Sequence, residues 1–192
     1  MRTILEEGER LNRFISNLLD MTRLESGPLT PQTGPVDLSD VIGTTVQRAS
    51  KILHNHQVKI DLELNLPMVE ADMVLMEQVL FNLLDNGAKY APQGSRIEIS
   101  AARDNGFVAV RVLDEGDGIS EAYLERIFDK FYRVRRADRQ RAGTGLGLAI
   151  GRGFIEAMGG RITAANRTGR KGAVFTITLP AAAKATPPGT LP

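Results

Sequence analysis

Phe81-Asn82-Leu83-Leu84-Asp85-Asn86-Gly87-Ala88-Lys89-Tyr90 decides how this chain is read. It closes a helical run that starts after Asp72, a residue suited to cap the helix that follows. At about 3.6 residues per turn, Gln78, Asn82, Asn86 and Lys89 fall on one stripe. Met73, Met76, Leu80, Leu83, Leu84 and Gly87 fall on the other side, and Leu75 and Val79 intrude beside the polar stripe. The helix is apolar almost all round, so Asn82 and Asn86 are expected to face a partly dry place. An unpartnered buried amide costs roughly 1–3 kcal/mol. Two of them one turn apart, with Lys89 and Tyr90 a turn further on, ask for a partner with negative charge and an aromatic face. A nucleoside triphosphate with its metal has both. A core helix whose two amides bond neighbouring backbone is the alternative from this stretch alone.

Composition narrows the classes. The chain has 192 residues, 42% of them hydrophobic, enough for one domain of ordinary size plus an appendage. A net charge of +1 gives no bulk attraction to nucleic acid. There is no cysteine, which excludes disulfides and thiolate metal sites and is compatible with a reducing compartment. The two histidines, His54 and His56, are too few for a His-based zinc site. No apolar run approaches the ~20 residues that span a bilayer, and the N-terminus does not read as a signal peptide. The chain as given is expected to be soluble and cytoplasmic, without membrane contact of its own.

Residues 3–25 read as one long helix. Ile4, Leu11 and Leu18 recur at seven, Phe14 and Met21 fill the alternate seam position, and Ile15, Leu19 and Leu24 widen the stripe. Ser26-Gly27-Pro28 stops it. The stretch 28–35 reads as a linker, which favours pairing of this helix with another helix over packing on its own domain. The globular part is expected over 36–180, followed by an Ala- and Pro-rich disordered tail over 181–192.

Within the globular part, Asp37 or Ser39 caps a helix running to about residue 53. Strands are expected at 58–62 and 68–70, before the Asn helix. Strands at 96–102 and 107–114 are joined by Asp104-Asn105-Gly106, a hairpin signal. A short helix over 120–127, a polar basic loop over 129–144 and a helix over 146–158 follow. A last hairpin pairs 161–165 with 173–179. Two hairpins and three helices predict an α+β fold, a two-layer sandwich of about five strands in a mixed sheet packed on three helices, preceded by the long helix.

Three further stretches carry chemistry. Asp114-Glu115-Gly116-Asp117-Gly118-Ile119 ends a strand. Its glycines let backbone approach a ligand closely, and Asp114 can accept from an exocyclic amine, a way to prefer adenine over guanine. Ordinary Asp-Gly turn formation is the competing reading. Gly143-Thr144-Gly145-Leu146-Gly147-Leu148 opens a helix and presents free backbone N–H groups to phosphate. It is neither a dinucleotide fingerprint nor a Walker A loop, and a plain flexible loop is the competing reading. Between them, Phe128 and Phe131 read as anchors of a mobile flap. Of the arginines that follow, Arg133, next to the second anchor, is the one expected to reach ligand.

Asn-x3-Asn-x2-Lys-Tyr, Asp-x-Gly-x-Gly, Phe-x2-Phe and Gly-x-Gly-x-Gly in this order resemble the N, G1, F and G2 boxes of the ATP-binding catalytic domain of sensor histidine kinases, the GHKL or Bergerat fold. The resemblance covers about 36–180. The first helix, ending Leu18-Leu19-Asp20-Met21-Thr22-Arg23-Leu24-Glu25-Ser26-Gly27, resembles the second helix of the family's dimerisation and phosphotransfer hairpin, over 1–27. The linker and the two-hairpin pattern are also similar to the potassium-responsive, KdpD-type kinases.

The resemblance implies roles. Asn82 and Asn86 would hold Mg²⁺ and the ATP phosphates, with Lys89 on phosphate, and these three would carry the transfer. Tyr90 would pack on the base, and Asp114 would bind the adenine amine in a pocket shaped by Gly116, Gly118 and Ile119. Phe128 and Arg133 would border the nucleotide. Gly143, Gly145 and Gly147, with Thr144, Leu146 and Leu148, would form the hinge and phosphate turn of the lid. Implied partners are ATP, the hairpin of the same kinase in a homodimer, and a response regulator that takes the phosphoryl group on aspartate. The longer parent would be anchored in a bacterial inner membrane.

The sequence also departs from the family. No histidine sits before an acid and a Thr/Asn-Pro, so the phosphoacceptor is missing. His54-Asn55-His56-Gln57 lacks that context. Met158-Gly159-Gly160 stands where His-Gly-Gly is frequent, and Gly87 where Ala is usual. The resemblance thus implies a kinase engine with half of its hairpin. The alternative is a conformational ATPase of the HSP90, gyrase or mismatch-repair sort. Those generally carry a water-activating acid where this chain has Asn82, and Asn is a poor base.

Overall fold

The computed structural model describes residues 2–132 and 144–182; in the first helix it describes side chains only at residues 8, 11, 12 and from 14 onward. Helix α1 spans Arg2–Glu25. After it the chain is not a bare linker: β1, Gly34–Val36, pairs antiparallel with β3, Val69–Ala71. Two of its residues fall in the stretch read as linker. The Gln32 amide also donates to Asp72 Oδ2 at 2.9 Å.

Asp37 caps α2, Leu38–Arg48, by accepting from the Ser39 N–H at 2.7 Å. One helix was expected to residue 53. Instead the backbone turns at Ala49 and a single turn, α3, Ser50–Leu53, follows. Strand β2, Gln57–Leu62, comes next. Asp72 starts α4, Met73–Tyr90, by accepting from Val74 N at 3.0 Å and Leu75 N at 3.2 Å. Strands β4, Arg96–Asp104, and β5, Phe107–Leu113, flank Asn105-Gly106. Both turn residues have positive φ, 48° and 86°, as a two-residue hairpin of matching twist requires. The stretch 120–127 forms two separate 3₁₀ turns, Glu121–Tyr123 and Arg126–Phe128, rather than one helix. Helix α5, Gly147–Ala157, and the hairpin of β6, Arg161–Asn166, and β7, Ala173–Pro180, complete the fold.

The main sheet has five strands in the order β2-β4-β5-β7-β6. Only β2–β4 is parallel, so the sheet is mixed, as expected. Alternation picks its inner face: Ile97, Ile99 and Ala101 on β4 and Phe175, Ile177 and Leu179 on β7 are buried. Against that face lie Met76, Leu80, Leu83 and Leu84 of α4, Ile150, Phe154 and Ile155 of α5, and Leu38, Val41 and Ile42 of α2, all in one core. Each such side chain contributes about 1.5–3 kcal/mol on burial. Met73 is the exception on the expected apolar side of α4; it lies in the first turn and is 43% exposed.

The end of α1 packs on α5. Met21 is buried, and a Cβ on Gly153 would come within 2.8 Å of Leu24. Leu11, Phe14, Ile15, Leu18 and Leu19 remain exposed. At the other end, Ala181 bridges Val69, and the Ala182 amide donates to the Met68 carbonyl. The stretch expected to be a tail therefore begins as part of the fold.

Candidate functional site

Helix α4 touches both glycine motifs. Near its middle, the Asn82 side-chain amide donates to the Gly147 carbonyl at 3.4 Å. At its end, the Tyr90 carbonyl lies so close to Gly116 that a Cβ there would meet it at 3.0 Å. The stripe read from the sequence is half-buried at Gln78, Asn82, Asn86 and Lys89. Asn86 makes no side-chain hydrogen bond to any described residue. Lys89 pairs with Asp85 one turn earlier, so its ammonium has an acidic neighbour the sequence reading did not use. Tyr90 is 41% exposed.

Asp114 directly follows β5 and is buried. Its Oδ1 accepts from Gly116 N at 2.8 Å and from Ala173 N at 3.2 Å. Oδ2 accepts no hydrogen bond among the described residues. Burial raises the Asp114 pKa above 3.8; the two backbone N–H bonds and the Arg167 charge oppose that shift. Gly118 has φ +80°, and a Cβ there would meet Asn166 Oδ1 at 2.7 Å. The Asn166 side chain holds Ile119 at both backbone groups: its Oδ1 accepts from Ile119 N at 2.7 Å and its Nδ2 donates to Ile119 O at 2.6 Å.

Thr144 Oγ1 accepts from Leu146 N at 3.2 Å, and Leu146, the N-cap of α5, supplies no side-chain cap bond to the helix. The first amides of α5 therefore lack intrahelical partners. Leu146 is fully buried, and Leu148 packs partly buried against the core. Gly145 accepts from Phe131 N at 3.0 Å. Phe128 is buried, with the Arg152 guanidinium 4.3 Å above its ring. Phe131 is 63% exposed. Of the two expected anchors, Phe128 is thus buried and Phe131 exposed, while Tyr132 beside it packs its ring against Tyr123, centroids 5.9 Å apart. Arg133 and Gly143, and most of the expected lid over 129–144, lie outside the described residues.

Neither histidine lies on the polar stripe of α4, although His56 meets the α4 backbone. His54 is exposed, with Nδ1 2.8 Å from the Lys51 carbonyl. His56 Nε2 lies 3.2 Å from the Ala88 carbonyl, and its Nδ1 is buried without a partner among the described residues. A carbonyl only accepts, so Nε2 is the donor in the His56 bond.

The sequence reading missed Asn166 and Arg167; it placed Gln78 on the polar stripe but not its bond to Asp20. Asn166-Arg167 reads as the start of a hairpin turn. Only the β5–β7 pairing brings that turn beside Asp114.

Among the described residues, no three His, Cys, Asp or Glu cluster as metal ligands. What the site offers a cation is the Asn82 and Asn86 amide oxygens. That donor set suits Mg²⁺, which takes hard oxygen ligands, few of them from protein, and keeps phosphate and water oxygens for the rest.

Comparison with known proteins places this geometry. Residues 71–183 match the family described as histidine kinase-, DNA gyrase B-, and HSP90-like ATPase. The chain is similar to the sensor protein KdpD of Clostridium acetobutylicum, 41% identical over 178 residues, covering 92% of this chain and 20% of that protein. It is similar to the sensor protein KdpD of Escherichia coli K12, 37% identical over 168 residues, covering 88% of this chain and 18% of that protein. The chain thus spans about a fifth of the length of these relatives. Its fold is similar to full-length ShkA solved in complex with AMPPNP, with a TM-score of 0.81 at 27% identity, over 95% of this chain and 38% of that one.

Proposed function

Because the chain belongs to the family of histidine kinase-, DNA gyrase B-, and HSP90-like ATPases, we propose that it is the ATP-binding catalytic domain of a two-component sensor histidine kinase. It passes the ATP γ-phosphoryl group to a histidine on a hairpin helix that pairs with α1 in a homodimer. A response-regulator aspartate takes the group next. Sensor proteins are the similar sequences, and a complex with AMPPNP is the similar fold. The parent protein is anchored in a bacterial inner membrane and this part faces the cytoplasm; among the described residues no helix is long and apolar enough to cross a membrane.

The observation that carries the reading is the double contact of α4, with the glycine-rich turn through Asn82 and with the Asp114 loop through Tyr90. Base and phosphates can then be held by one rigid helix, which is what phosphoryl transfer asks of a protein. Asp114 Oδ2 takes the adenine amine, and Tyr90 covers the base. Unpaired amides at the start of α5 and the Lys89 ammonium face the phosphates, with Thr144, Gly145 and Gly147 shaping the turn. Asn82 and Asn86 would hold Mg²⁺, which when bound would offset phosphate charge. No acid stands at Asn82 to activate water, which favours transfer over hydrolysis.

The alternative is a conformational ATPase of the same family. Labelled ATP separates them: the chain should bind Mg·ATP and barely hydrolyse it. Steady turnover without an acceptor supports the ATPase reading instead, and absence of binding refutes both.

A further inference from the structure

We propose that Asn166 and Arg167, where β6 ends, set the base selectivity of the nucleotide site by holding the Asp114 carboxylate so that only one of its oxygens is open to a base. The inference rests on the nucleotide-site reading above and names residues that reading does not use.

A freely turning carboxylate is a poor judge of purines. Adenine offers it one amine N–H. Guanine offers a ring N–H and an amine side by side, which a carboxylate with both oxygens free can accept together. Asp114 is not free. Oδ1 already accepts from Gly116 N and Ala173 N, which leaves Oδ2 as the one oxygen open to a base. The two-point guanine contact is closed, and adenine loses nothing.

That state depends on the β6–β7 turn. Arg167 is 9% exposed, and its Nη1 donates to the Asp114 carbonyl at 2.9 Å. Its guanidinium also lies 3.9 Å from Glu115 Oε1. The fit leaves no slack: a Cβ on Gly172 would stand 2.0 Å from the Asp114 carbonyl oxygen and 2.6 Å from Arg167 Cδ. Asn166 fixes the far end of the same loop through the Ile119 N–H and carbonyl. The loop from Asp114 to Ile119 is therefore fastened at both ends by neighbours in one hairpin. Neither side chain needs to touch the base: both are positioning residues.

The test is calorimetric titration of the whole chain with Mg·ATP and with Mg·GTP, for wild type, Asn166→Ala, Arg167→Met and Arg167→Lys. Thermal melting is run on each preparation. The ratio of the two affinities is the readout, because an unfolded fraction lowers both alike. Wild type should prefer ATP. Arg167→Met and Asn166→Ala should each cut that preference by about tenfold, the effect of losing one or two hydrogen bonds. Arg167→Lys, which keeps a donor and the charge, should restore part of it. Wild type that prefers ATP, with variants that keep the wild-type ratio, overturns the inference and leaves the nucleotide site standing. Wild type that binds neither nucleotide overturns both.

Discussion

The Gln78 side-chain amide donates to Asp20 Oδ2 at 2.5 Å, tying α4 to a buried carboxylate on α1. Gln78 lies one helical turn before Asn82. Asn17, one turn before Asp20 on α1, donates to Thr144 Oγ1 at 3.5 Å, and Lys130 meets Glu25 at 2.6 Å. Helix α1 is thus fastened to elements on both sides of the glycine-rich turn.

Replacing Asp20 by Ala removes a charge-assisted bond of about 1.5–3 kcal/mol. Backbone amides near the end of α1 should then exchange with solvent faster, while those of α4 keep their protection. Hydrogen exchange read by mass spectrometry checks this, and unchanged α1 exchange contradicts it.

Gly172 and Gly43 make an opposed pair. Gly172 has φ +128° and no room for a Cβ beside Asp114, so Gly172→Ala should destabilise the fold by about 1–3 kcal/mol or more. Gly43 is exposed within α2 and has nothing within 4 Å of an added Cβ. Gly43→Ala should stabilise by about 0.5–1 kcal/mol, since it restricts the unfolded chain and suits a helix. Denaturant unfolding of both variants checks the signs.

The main frame of the molecule was legible because its signals are local. The Asp72 cap, the alternation of β4 and β7 and the Asn105-Gly106 turn each specify a conformation within a few residues. What could not be read depends on distant partners. Gly34-Pro35-Val36 carries linker composition and becomes a strand only because β3 lies opposite. Phe131 has the sequence look of an anchor but is exposed, while Phe128 is buried. Asp114 was legible as a candidate from its place before two glycines. Arg167, 53 positions later, was not, because a buried Arg in a turn has the same local sequence as an exposed one.

Asp114→Asn should separate stability from binding. The folded pKa of Asp114 lies above the ordinary 3.8, chiefly because of burial. A raised carboxyl pKa favours folding at low pH, and that contribution is lost as pH rises through the folded value. At neutral pH the ionised group is a burden, so Asp114→Asn should melt at the wild-type temperature or above it. ATP binding needs the carboxylate and should be lost in the variant. In the wild type, affinity should fall on acidification with a midpoint above 3.8. The charged groups at that loop are Arg167 beside Glu115 and Lys171 paired with Asp117. A lower melting temperature with intact binding reverses the assignment.

Asn86→Ala should weaken Mg·ATP binding by about tenfold or more while leaving any metal-free ATP binding largely unchanged. Asn82→Ala should lose the same metal dependence, and in addition the bond to Gly147. Calorimetry with Mg²⁺ and with a chelator checks both. Wild-type affinity in the two variants would falsify their assignment as metal and phosphate ligands.

The most direct measurement is phosphotransfer in trans. The chain is mixed with γ-labelled ATP, Mg²⁺ and a separate kinase hairpin carrying an acceptor histidine, and the label is followed through acid treatment. His54 hydrogen-bonds its own helix end, and His56 is held at the Ala88 carbonyl. Acid-labile label is therefore predicted on the added hairpin and not on this chain. Strong acid-labile label on this chain alone, lost in a His54→Ala/His56→Ala double variant, would contradict the account.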